Sequence, residues 1–304
     1  MIKVGSDFSG VGAFNQALIR LGVEYKEVFA CDMDKYARET FIHNYGEPEY
    51  YPTNVYDREI PSDSLDIYMT SPPCQAFSLA GKRLGKDDKR GILFFNSYEF
   101  IQVNKPRFFI FENVRGLLSD DSGNTFQEWC NMLGGKSVNG VPQNRERVFL
   151  IGIRDDADNR FQFPREEHLT KRLKDVLEDD VEEKYFLSEK IINDVFIDEF
   201  KVKSATQKGY EEATIGDSIN YTFPSSKTRK GRVGKGVAQT LDTACNQGTL
   251  IQDRIRRLTP RECFRLMDFP DSFTWICSDS QAYKQAGNSI VVNVLYKILK
   301  QLPL

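Results

Sequence analysis

An α/β fold on an open sheet is expected from three features of this sequence. Apolar strand candidates at 2–6, 25–30, 65–69 and 106–111 alternate with helical stretches, as in chains that wind helices onto a sheet. A glycine-bearing turn, Asp7 to Phe14, follows the first strand candidate. After the third, Thr70-Ser71-Pro72-Pro73-Cys74-Gln75-Ala76-Phe77-Ser78 leaves through two prolines, which fix φ and forbid helix in the residues before them. Cys74 is thereby held just beyond a carboxyl strand end, where open α/β sheets place their chemistry. A cysteine so placed becomes a nucleophile once cationic or amide neighbours favour its thiolate. A small buried cysteine would be inert, and the polar, proline-stiffened surroundings argue against burial.

The bulk properties set limits. A chain of 304 residues can bury one large domain and a smaller one, and 40% hydrophobic with 28% charged residues is ordinary for a globular protein. No apolar run approaches the length of a membrane span, and Met1-Ile2-Lys3-Val4 reads as strand, not signal peptide, so a cytoplasmic protein is expected. The six cysteines lack any Cys-x-x-Cys pair and have only two histidines to assist, so neither a zinc site nor a disulfide framework is supported. A net charge of −3 alone argues against a nucleic-acid partner. Its distribution reverses that: residues 221–261 hold nine Lys/Arg against two acids, and 155–183 hold eleven acids against five bases. Such segregation makes a basic face that can meet phosphates.

Taken in order, Ile2 to Ser6 is a short strand and Asp7 to Phe14 the turn into a helix ending about Leu21. Gly10 and Gly12 let the backbone pass close to a ligand and turn amides toward it. A strand from about Tyr25 to Ala30 ends at Cys31-Asp32-Met33-Asp34, where an acid can accept hydrogen bonds from ribose hydroxyls. Asp34 caps a helix to about Asn44. The polar, basic stretch Leu79 to Gly91 reads as a lid whose cations meet phosphates, and a helix then runs from Leu93 to about Val103. Pro106 to Phe111 is a buried strand ending in Glu112-Asn113-Val114, and a carboxylate there needs a cation or a raised pKa.

A helix at about 125–133 runs into a glycine-rich bypass, 134–140. Beyond it Gln143, Arg145 and Arg147 share one face of a strand and need anionic or polar partners. Periodicity weakens from about 155 to 250, where Ser225 to Val233 is basic, small and apt for phosphate contacts. Thr259, Pro260 and Glu262 form a capping box, and Tyr283 to Ser289 leads into an apolar helix, Ile290 to Leu299.

Ser71-Pro72-Pro73-Cys74-Gln75-Ala76-Phe77-Ser78 resembles the catalytic turn of the DNA (cytosine-5)-methyltransferases, and the family's other motifs follow in order from Phe8 to Asn288. The resemblance implies a doubly wound, mostly parallel sheet of the Rossmann-like methyltransferase kind, with a smaller target-recognition domain. It divides the chain into a catalytic and cofactor-binding domain, 1–154, a recognition domain, 155–255, and a C-terminal segment, 256–304, that returns to the first.

As cofactor it implies S-adenosylmethionine, leaving as S-adenosylhomocysteine, held by Phe8, Gly10, Gly12, Asp32, Met33, Asn54, Val55, Pro73, Leu93, Asn288 and Ser289. Asp32 stands where the family has Glu for the ribose, and Asn54 where it has Asp for the adenine. Asp7 stands where the family has Leu, and Ser6 where it has Asp. In the implied reaction Cys74 adds to C6 of cytosine, Glu112 serves ring N3, Arg145 reaches the cytosine oxygen and Arg147 supports it. The expected substrate is a cytosine flipped out of double-stranded DNA at a specific sequence. Contacts to it fall to Gln75, Ser78, Lys82, Arg83, Arg90, Gln143, Lys227, Arg229 and Arg232.

A monomer of the prokaryotic or phage-encoded type is expected, with no membrane partner and with room for a cognate restriction endonuclease. From Glu112 to Gln143 there are only 31 positions, fewer than in relatives, so one sheet edge is expected to be altered. Two alternatives stay open: an RNA cytosine-5 methyltransferase of the same superfamily, and a catalytically silent DNA-binding homologue.

Overall fold

The structure, a computed structural model, describes residues 1–73, 93–133, 147–157, 160–165, 167–168, 170–198, 201–222, 226, 231–251 and 254–304. The chain divides into two compact units, Met1–Glu167 with Val292–Leu304, and His168–Val291. By this division residues 256–291 group with the second unit, where Arg256 binds Glu262, and the chain re-enters the first unit at Val292.

In the first unit the elements are β1 (Ile2–Asp7), α1 (Ala13–Leu21), β2 (Tyr25–Cys31), α2 (Lys35–Tyr45), β3 (Ile67–Thr70), α3 (Leu93–Asn104), β4 (Phe108–Val114), α4 (Asn124–Leu133) and β5 (Arg147–Ile153). They make one sheet in the order β2-β1-β3-β4-β5. The first four strands are parallel and β5 runs antiparallel to β4. The central strands are apolar on both faces: all of β3 is buried, as is β4 from Phe108 to Asn113. Winding reverses between β1 and β3, which leaves their adjacent carboxyl ends as the place for a site. Asp34 caps α2 as expected, accepting from the amides of Tyr36 and Ala37.

A register shift between Val4 and Gly5 puts a bulge in the β1–β2 ladder. It lets Phe29 pack on Gly5, where a Cβ would meet the Phe29 ring at 2.3 Å, while Glu27 turns to accept from Asn15 Nδ2 at 2.6 Å. Phe29 joins Tyr68, Phe94, Phe100, Phe111 and Trp129 in an aromatic core, with Phe94 and Trp129 stacked at 3.9 Å. The last helix, α8 (Val292–Leu299; α5 to α7 lie in the second unit), packs against α1 and buries Val292, Leu295, Ile298 and Leu299.

The second unit holds α5 (Glu189–Val195), strands β6 (Phe196–Asp198), β7 (Lys201–Lys203), β8 (Tyr210–Glu212), β9 (Ser218–Asn220), β10 (Arg232–Gly234), β11 (Gln247–Ile251) and β12 (Arg254–Arg257), then α6 (Pro260–Leu266) and α7 (Asp279–Asn288). The strands form two antiparallel sheets, β10-β9-β11-β12 and β6-β7-β8. Strands of three to five residues are too short to display alternation, which explains the weak periodicity of 155–250. The Thr259 capping box of α6 is present, and its Glu262 also receives the buried Arg256 guanidinium at 2.6 and 2.8 Å. Helix α7 went unread in the sequence, and Asn288 is its last residue. Among the described residues no helix is long and apolar enough to cross a membrane.

Candidate active site

The strand register brings the two expected catalytic segments side by side. Thr70 pairs with Phe111 across β3 and β4, so Ser71 and Glu112 are the next residues on neighbouring parallel strands. The turn leaving β3 is tied on both sides: Ser71 Oγ donates to the Phe8 carbonyl at 3.3 Å, and Asn113 Nδ2 donates to the Pro72 carbonyl at 3.4 Å. Both anchors belong to motifs quoted from the sequence, Ser71 to the proline turn and Asn113 to Glu112-Asn113-Val114, but neither has a role assigned there. Pro73 is half-buried, and Cys74 follows it outside the described residues.

Glu112 is buried, and Arg147 answers its charge, with Nε at 2.8 Å from Oε1. The antiparallel register explains the pair: Arg147 faces Val114, one step diagonal from Glu112 on the same sheet face. Of the two outcomes expected for this carboxylate, the cation is the one observed. The guanidinium fixes the carboxyl group's orientation through a charge-assisted bond. Arg145 and Gln143, with Gln75, Ser78, Lys82, Arg83, Arg90, Lys227 and Arg229, lie outside the described residues.

At the end of β1 the backbone turns through left-handed conformations at Phe8, Gly10 and Gly12, with φ of 58°, 54° and 79°. The glycines have different reasons. A Cβ on Gly12 would strike the Tyr45 ring at 2.2 Å, whereas one on Gly10 would find nothing within 4 Å. Their amides are not turned outward as expected: Gly10 donates to Asp32 Oδ2 at 2.8 Å and Gly12 to the Ser9 carbonyl at 3.0 Å. Asp32 Oδ1 meanwhile accepts from the Asp34 amide at 2.8 Å. Burial raises the Asp32 carboxyl above the usual range, and the amide bonds oppose that rise.

Around this turn stand a half-buried Phe8 and an exposed Met33, 85% accessible. Asn54 is exposed, its Oδ1 accepting from the Tyr56 amide at 3.1 Å, while Val55 is buried in the aromatic core. The segment before them lies along the outer edge of β2, through Ala30 N to the Tyr50 carbonyl and Asp32 N to the Pro52 carbonyl. Leu93, half-buried at the start of α3, touches the same aromatic core. In the second unit Asn288 is exposed and Ser289 buried.

The basic stretch 221–261 is less available than its composition promised. Lys235 pairs with Asp217, Arg254 with Glu183 and Arg256 with Glu262, while the guanidinium groups of Arg257 and Arg261 lie over Tyr283 and Trp275. Their partners lie from six to 71 residues away, all outside the stretch, so a count of charges over 221–261 could not find them. Arg232 is exposed on β10.

Comparison with known proteins agrees with the geometry. The sequence pattern of the C-5 cytosine-specific DNA methylases matches residues 2–303. The chain is 35% identical to the Type II methyltransferase M.HhaI of Haemophilus parahaemolyticus, covering 96% of this chain and 91% of that one. It is 36% identical to M.NgoBI of Neisseria gonorrhoeae, covering 97% and 91%. Among solved structures, the Entamoeba histolytica methyltransferase EhMeth superposes with a TM-score of 0.68 at 18% identity, covering 99% of this chain and 97% of that one. Spodoptera frugiperda DNMT2 does so at 0.67 and 22%, covering 99% of each chain. With a doubly wound sheet, a buried acid at one strand tip and a family pattern matched along nearly its whole length, the chain belongs to the C-5 cytosine-specific DNA methylases, enzymes of the DNA (cytosine-5)-methyltransferase class.

Proposed function

We propose that the protein methylates C5 of a cytosine in double-stranded DNA at a specific sequence, with S-adenosylmethionine as donor and Cys74 as nucleophile. The observation that carries this reading is the pairing of strand tips: Glu112, oriented by Arg147, stands beside the end of β3, which Cys74 follows four residues on in the sequence. The base must leave the duplex to reach such a site, which costs a few kcal/mol of stacking and pairing, on the order given for flipped bases. The Cys74 thiolate then adds to C6 while Glu112 holds or protonates N3. That addition makes C5 nucleophilic enough to take the methyl group. Loss of the C5 proton to water, return of any N3 proton to Glu112 and expulsion of Cys74 as its thiolate restore the enzyme and the aromatic ring. Arg145 holds the cytosine oxygen, and unit His168–Val291 supplies the sequence reading.

The residues fit the cofactor. Open space over Gly10, the exposed Met33 side chain and the Asp32 carboxylate at the end of β2 suit a nucleoside laid across the β1 and β2 tips. When bound, S-adenosylmethionine supplies an electrophilic methyl group on a sulfonium. Phe8, Met33, Asn54 and Val55 would border the adenine and Asp32 the ribose, with Gly12, Pro73 and Leu93 completing the first unit's set. Incubation with tritiated cofactor and either duplex DNA or transfer RNA tests the reading, with label expected in DNA. Label confined to transfer RNA would overturn the choice of substrate, and transfer unchanged in Cys74→Ser would overturn the nucleophile.

A further inference from the structure

The acid that replaces an apolar residue at the end of β1 is not left alone. Asp7 is fully buried, and its Oδ1 lies 3.0 Å from Nε of Arg58, whose side chain is 3% exposed. Asp7 Oδ2 accepts from the Tyr68 hydroxyl at 2.6 Å. The Arg58 guanidinium lies 4.7 Å from the Phe100 ring centroid and 5.8 Å from that of Phe29, and its NH2 group donates to the Asn96 carbonyl at 3.4 Å. A single ion pair thus joins β1, β3, α3 and the loop between α2 and β3.

Its neighbours in sequence are the walls of the proposed nucleoside site. Asp7 directly precedes Phe8, whose φ of 58° requires the chain to be held in a conformation that a free strand end would leave. Arg58 directly follows the turn Asn54–Asp57, closed by Asp57 N to the Asn54 carbonyl at 3.2 Å and by Asn54 Nδ2 to Asp57 Oδ2 at 3.1 Å. A buried ion pair is a poor source of net stability, since desolvation cancels most of the attraction and an apolar pair of similar size serves as well. What it supplies better is a fixed geometry between two otherwise separate loops.

We propose that Asp7 and Arg58 are positioning residues for the cofactor: their buried ion pair locks the Asn54–Asp57 turn against the Phe8 turn, holding the adenosine pocket in its binding shape. This rests on the proposed use of S-adenosylmethionine and concerns how its nucleoside is held. The groups that face Asp7 are Arg58 from the loop, Tyr68 from β3 and the Cys31 thiol from β2, with Asp32 beyond Cys31. Burial pushes the Asp7 carboxyl up to about 6. Protonation below that pH would release Arg58 and loosen the pocket.

The test is binding of S-adenosylhomocysteine by calorimetry, with amide exchange across residues 54–58 in the ligand-free protein. In wild type the Kd is expected to weaken about threefold from pH 8 to pH 5.5, the share of a tenfold loss set by a carboxyl that titrates at about 6. Asp7→Asn should bind about tenfold more weakly than wild type does at pH 8, and equally so at both pH values. The apolar pair Asp7→Leu with Arg58→Met should melt within a few degrees of wild type yet bind about tenfold more weakly, with faster exchange at 54–58. Equal affinity in wild type and Asp7→Asn at pH 8 overturns the proposal, whether or not the double variant folds. Wild type that fails to bind S-adenosylhomocysteine would instead defeat the cofactor reading itself.

Discussion

Glu112 and Arg147 meet because antiparallel pairing sets them one diagonal step apart, and each gives the other a reason to be there. A neutral amide at 112 keeps the shape and loses the charge and the transferable proton. Glu112→Gln should therefore lower kcat on duplex DNA by at least about 100-fold, the low end for a positioned acid or base, with S-adenosylhomocysteine affinity within twofold of wild type. Steady-state kinetics and calorimetry read the two quantities separately. In the second unit Arg256 is 1% exposed and Glu262 fully buried, so Arg256→Ala leaves a buried carboxylate without its cation. A loss of about 3–5 kcal/mol is expected in denaturant unfolding. The sequence showed that Glu112 required a partner but not which one. Arg256 counts in the sequence only as one of the nine basic residues of 221–261, because its acid, six residues on, reads there as a helix cap.

Two elements carry consequences of their own. Helix α6 begins with Thr259 Oγ accepting from the Glu262 amide at 3.2 Å, and Thr259→Ala should cost about 1 kcal/mol, measurable in the same unfolding experiment. The bulge in β2 turns the half-buried Glu27 toward Asn15, where desolvation pushes its carboxyl up to about 8. The sign follows from linkage. A carboxyl group whose folded pKa is raised binds more protons in the native state, so stability falls as pH rises from the unfolded value toward 8, and is flat above it. Glu27→Gln should consequently raise Tm more at pH 8 than at pH 5, by roughly 2–4 °C for each kcal/mol recovered. Equal shifts at both pH values in a calorimetric scan would contradict a charged, desolvated Glu27. Caps such as Asp34 and Thr259 were legible in sequence because their partners lie within three residues. The bulge was not, since nothing local distinguishes Glu27 from an outward-facing strand residue.

At the scale of the whole chain, the first unit is closed by its two ends: α8 returns to pack on α1 after the second unit has been inserted. Leu295 is fully buried in that contact. Leu295→Ala should cost about 2–5 kcal/mol through lost burial and an unfilled cavity, seen as a lowered unfolding midpoint. Alternation of strands and helices, the proline turn before Cys74 and the glycine turn after β1 could all be read from the chain. Periodicity, backbone restriction and capping act over a few residues, so their causes and effects sit together. The partners of buried charges, Asp7 with Arg58, Glu112 with Arg147 and Arg256 with Glu262, depended on folding. Which ions meet in a desolvated interior is set by strand register and loop path, and these follow from the packing of the entire unit, not from any stretch of it.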